Sequence, residues 1–75
     1  MKYHLEAIGL AVAHADLDLI PLTIRWAYNS GATPDQVRAA IAESCRSGRV
    51  PATIQAMALE VAHAWAWIAR HKPAA

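Results

Sequence analysis

PATIQAMALEVAHAWAWIARH, residues 51–71, is the stretch on which the reading of this chain turns. Pro51 suits the opening of a helix, and Pro73 lies beyond its expected end at about His71. Within that span Ile54, Met57, Leu59, Val61, Trp65, Trp67 and Ile68 do not share one narrow stripe. A helix that is apolar around most of its circumference is surrounded by protein on most sides. A chain of 75 residues cannot supply that much cover. The expectation is therefore a homo-oligomer with a subunit interface carried by Met57, Val61, Trp65 and Trp67. Trp65 and Trp67 are two positions apart and must point to different sides of the helix. One enters the core; the other meets a partner chain or a ligand.

Three shorter helices precede it. Leu5, Ile8, Val12 and Ala15 recur at helical spacing, which predicts a helix over 3–15. Gly9 costs about 1 kcal/mol inside it relative to alanine, which suggests close packing against a neighbour. Asp16 and Asp18 offer N-caps for a second helix over 19–30, with Pro21 in its first turn. Its apolar rows are Leu22 with Trp26, and Ile20 with Ile24 and Ala27, and Gly31 suits the left-handed residue after its end. Thr33-Pro34-Asp35-Gln36 combines an N-cap threonine, proline at the first helical position and glutamine at the third. A third helix over 34–46 follows, turning Val37, Ala40, Ile41, Ser44 and Cys45 inward, and Ser47-Gly48 stops it. No segment alternates as a strand does. The fold class is all-α, a compact bundle of about four helices in one domain spanning 1–75.

Composition narrows the function classes. Net charge is +1 with scattered Lys and Arg, so no basic stripe for nucleic acid is present. Charged residues are 17% of the chain and apolar ones 56%, against about 25% charged in ordinary domains, which leans toward an apolar surface. The apolar stretch 50–69 contains Gln55, Glu60 and His63, and a glutamate at mid-membrane costs several kcal/mol, so no membrane span is expected. The start does not read as a signal peptide. A single cysteine, Cys45, excludes an internal disulfide and fits a reducing compartment such as the cytoplasm.

Three stretches carry a family resemblance: Glu6-Ala-Ile-Gly-Leu-Ala-Val-Ala13, then Ala27-Tyr-Asn-Ser-Gly31-Ala-Thr-Pro-Asp-Gln-Val37, then the helix from Val37 with the long alanine-rich helix after it. Together, over roughly residues 5–69, they resemble the alkylhydroperoxidase D and carboxymuconolactone decarboxylase superfamily. The resemblance implies an oligomer of helical subunits. It also implies a Cys-x-x-Cys pair with a histidine four residues on and an upstream glutamate, of which only Glu6 has a match here. Counting from Glu6 puts Asp18, Pro21 and Arg25 in the Cys, Cys and His places, whereas counting back from Gly31 puts Asp16, Leu19 and Thr23 there. Without the thiolate, its resolving partner and the proton shuttle, dithiol peroxidase chemistry is not expected.

The remaining chemistry-bearing residues each have a bland reading beside the sharper one. Cys45, four residues after Ile41, reads as a small core hydrophobe rather than a reactive thiol. Glu60-Val-Ala-His63 places a carboxylate and an imidazole on one helix face, the pairing that di-metal bundles use twice. A symmetric dimer would supply two copies, with Glu6 or Glu43 completing the ligand set for a divalent metal; the alternative is a hydrogen-bonded His-Glu pair. His14 with Asp16 flanks a helix end, where the two could coordinate a metal; His71 suits a C-terminal cap, and His4 reads as solvated. Gln36, Arg38 and Arg46 would be the readers in a DNA-binding helix-turn-helix, a reading that near-neutral charge disfavours. The expected protein is a non-enzymatic, or at least dithiol-free, oligomeric binding or interaction module with no cofactor, taking a protein partner or small ligand; the alternatives are a metal-binding oligomer using Glu60, His63 and Glu6, or a DNA-binding helix-turn-helix protein.

Overall fold

The computed structural model describes residues 2–71, and Pro73 lies outside them. Four helices occupy the chain: α1 Lys2–Ala13, α2 Leu19–Asn29, α3 Pro34–Ser47 and α4 Ala52–Arg70. No strand occurs among the described residues. Each helix end falls within two residues of its sequence-based expectation, and the widest difference is at the end of α1.

That end closes with two reverse hydrogen bonds. The Asp16 N–H donates to the Ala11 carbonyl and the Ala15 N–H to the Val12 carbonyl, both at 3.0 Å. The pattern requires a left-handed residue, and Ala15 takes it with φ 51°. An alanine there has no glycine to announce it, so the periodic pattern runs on to 15 in the sequence while the helix stops at 13. Left-handed backbone costs an alanine about 1 kcal/mol, so Ala15→Gly is expected to raise the unfolding free energy by about that amount in urea denaturation.

The other caps follow the sequence closely. The Asp16 carboxylate accepts the N–H groups of Asp18 and Leu19, both at 3.1 Å, and so caps α2 from two residues upstream of Asp18. Gly31, at φ 95°, ends α2 with the same double bond pattern: Ala32 N–H to Ala27 carbonyl at 2.9 Å, Gly31 N–H to Tyr28 carbonyl at 3.1 Å. At α3 the capping box is complete. Thr33 Oγ1 accepts the Gln36 N–H at 3.2 Å and Gln36 Oε1 accepts the Thr33 N–H at 2.9 Å. Helix α4 starts behind Pro51 with no side-chain cap.

In the bundle, α1 packs on α2 and α3, and α4 packs on the other side of the same two helices. The pairs α1–α4 and α2–α3 lie across diagonals and meet only slightly. The large, fully buried side chains are Ile8 and Val12 from α1, Ile20 and Ile24 from α2, and Val37 and Ile41 from α3. From α4 the core receives only Ala58, Ala62 and Ala66 as buried residues, with Ile54, Met57, Val61 and Trp65 half-buried around them. Two buried hydroxyls are satisfied. Thr23 donates back to the Leu19 carbonyl at 2.8 Å, and Ser44 donates to the Gly9 carbonyl at 2.7 Å, tying α3 to α1. His4 departs from its expected solvated place: it is half-buried, its Nε2 stands 3.1 Å from Ser30 Oγ, and its Nδ1 is buried with no partner.

No helix among the described residues is long and apolar enough to cross a membrane. Glu60 interrupts the longest of them, as its sequence implied.

Candidate functional site

The outward face of α4 follows from the helix repeat. At about 100° per residue, Ala58, Ala62 and Trp65 fix the inward direction, and Ala56, Glu60, His63 and Trp67 fall on the opposite side. All four of these are exposed, as are Leu59 and Ile68 on the flanks. Trp67 retains 52% of its surface, Ile68 44% and Leu59 37%. The Trp67 indole is held by His71, stacked on it with ring centroids 3.9 Å apart, while His71 Nδ1 lies 2.7 Å from the Trp67 carbonyl at the helix end. Ala56, Leu59, Glu60, His63 and Ala64 line a shallow hollow in this face.

The four α4 residues expected at an interface thus divide. Met57, Val61 and Trp65 pack against the core of their own chain, and only Trp67 stands outside. Trp65 is further engaged by Arg25 of α2, whose guanidinium carbon sits 5.3 Å from the ring centroid. The physical reason is the alanine row: with Ala58, Ala62 and Ala66 facing in, the larger side chains on either side of that row fold down over the neighbouring helices.

The proposed metal ligands are not gathered within one chain. Glu60 and His63 share the α4 hollow. Glu6 lies on α1, across the diagonal, and lines a different surface together with Glu43. Among the described residues no three His, Cys, Asp or Glu side chains come together as a metal site. Neither Glu60 nor His63 has a hydrogen-bond or ion-pair partner among the described residues. His14 and Asp16 are likewise used locally: His14 Nδ1 lies 2.8 Å from the Leu10 carbonyl and Asp16 caps α2.

The surface bearing Glu6 is an open, largely apolar groove of about 910 Å³ between α1 and α3, lined by Leu5, Leu10, Ala13, Ala40 and Ser44. No sequence pattern marks it, because it exists only once the two helices are packed. Gly9 forms part of its lining, and a Cβ added at Gly9 would meet nothing within 4 Å. The close packing expected at this glycine is therefore absent within the chain. Gly9→Ala is expected to raise stability by about 0.5–1 kcal/mol, through helix propensity alone, as read by thermal or urea unfolding.

Cys45 is half-buried against the core, and burial pushes its thiol above the usual range. A raised thiol pKa keeps the sulfur protonated in the fold. The associated stability is present below the unfolded pKa and is lost as pH rises through the folded value. Near pH 8 a disulfide reagent is expected to label Cys45 several-fold more slowly in the native chain than in urea. Equal rates would remove the core assignment.

Arg38 and Arg46 are paired on the α3 surface with Asp35 and Glu43. Helices α2 and α3, the two members of the helix-turn-helix reading, hardly touch. Comparison with protein-family models, with curated proteins and with solved structures returns no match to this chain.

Proposed function

We propose that this chain is a non-enzymatic interaction module that works by self-association, with the outward face of α4 as its contact surface. One observation carries the reading: α4 gives the core a row of alanines and leaves Leu59, Trp67 and Ile68 exposed. Leu22 and Trp26 add exposed apolar surface on α2, the helix beside it. Large apolar side chains left bare on so small a domain mark a surface built to be covered. The sequence likeness to alkylhydroperoxidase D proteins, which are helical oligomers, points the same way. Sedimentation equilibrium of the whole chain tests it. The expected result is a mass that climbs above one chain with concentration; a single-chain mass throughout would overturn it.

A second reading is favoured by Glu60 and His63 standing on one face without partners among the described residues of their own chain. A divalent metal held between copies would take two glutamates and two histidines, a set suited to zinc or iron. It requires stoichiometric metal in the purified assembly, lost together in Glu60→Ala and His63→Ala. The helix-turn-helix reading draws nothing from the paired arginines or the separated α2 and α3 and is set aside.

A further inference from the structure

The spacing of the outward stripe of α4 is the same read from either end. Ala56, Glu60, His63 and Trp67 are spaced by four, three and four residues, the rhythm of a helix–helix seam. Their midpoint falls between Val61 and Ala62. Glu60 and His63 lie equally far from it on either side, and so do Ala56 and Trp67. Each equidistant pair is complementary. Acid is matched with imidazole, and the smallest side chain of the stripe with the largest.

We propose that α4 packs antiparallel on α4 of a second copy, about a two-fold axis at that midpoint, so that each Glu60 meets His63 of the partner subunit and each Trp67 covers Ala56 of the partner subunit. The proposal rests on the self-association reading and gives it a register. Charge complementarity chooses the direction. An antiparallel pair puts carboxylate against imidazole twice. A parallel pair would set Glu60 on Glu60 and His63 on His63, and like charges face to face cost affinity. Size complementarity chooses the register. The hollow beside Ala56 gives the partner's indole a place to sit. The inward-facing Ala62 and half-buried Val61 sit at the axis but away from the contact face, so the seam consists of the exposed residues alone. The stack of Trp67 on His71 fixes the ring before association, which lowers the entropy lost on docking.

Charge reversal in the full chain tests the register, read by sedimentation at pH 6. Glu60→Lys sets an ammonium against the imidazole of His63 of the partner subunit, and His63→Glu sets two carboxylates together. Each is expected to weaken association by about tenfold or more, with helical content unchanged because both positions are exposed. The double change, Glu60→Lys with His63→Glu, restores opposite charges only in the antiparallel pairing, and is expected to recover most of the wild-type association. A double variant as dissociated as the single ones would overturn the proposal, as would single variants that associate like wild type. If in that case wild type still associates and Trp67→Ala does not, the register is wrong and self-association stands; a wild type that never associates removes both.

Discussion

Ile24→Ala is expected to lower the unfolding free energy by about 3 kcal/mol or more. Ile24 has no exposed surface and lies on α2, the helix that contacts both α1 and α4. Its truncation removes buried methylenes and leaves a cavity between helices that are already fixed by their caps, and such changes cost about 2–5 kcal/mol. A domain of this length holds roughly 4–11 kcal/mol in total, at about 0.05–0.15 kcal/mol per residue. The variant is thus expected to unfold at markedly lower urea concentration. Urea denaturation followed by circular dichroism measures it. A loss under about 1 kcal/mol would mean that the α2 face collapses readily onto its neighbours.

Trp65→Ala and Trp67→Ala should part company. Trp65 is half-buried, packed on the core and covered by Arg25, so its loss is expected to cost about 2–3 kcal/mol of fold stability. Trp67 is exposed and, among the aromatic rings of the described residues, stacks only on His71, so its loss is expected to change stability by less than about 0.5 kcal/mol. Association responds in the reverse order. An aromatic anchor buried in an interface is worth about 2 kcal/mol or more, so Trp67→Ala is expected to weaken self-association roughly thirtyfold. Chemical denaturation at low concentration and sedimentation at high concentration separate the two readouts. Parallel losses in both variants would place both rings in the core of the fold.

Much of the architecture is legible in the residues themselves. Thr33 with Gln36, and Asn29-Ser30-Gly31, announce helix boundaries because their side chains and backbone preferences act locally. Ala15 hides a boundary because its left-handed turn is imposed by packing and not by its own preference. On α4 the apolar residues are visibly too many, but their number does not tell which of them face in. The inward row is alanine, whose weak hydropathy is easily outshone by Met57, Val61 and the tryptophans beside it. The site divides along the same line. The shared face of Glu60 and His63 follows from their spacing of three. The separation of Glu6 from them depends on α1 and α4 lying on a diagonal, which no local pattern encodes.

The order in which the helices surround the core has a consequence for how the chain can be divided. Because α2 and α3 are consecutive yet scarcely touch, the turn at 30–33 joins two helix pairs, and nearly all the contact that binds the pairs runs through α1 against α3 or α2 against α4. Neither pair encloses a hydrophobic interior by itself. Peptides ending and beginning at that turn would each be largely unstructured alone, and would acquire helicity only on mixing, as a two-piece reconstitution of one cooperative unit.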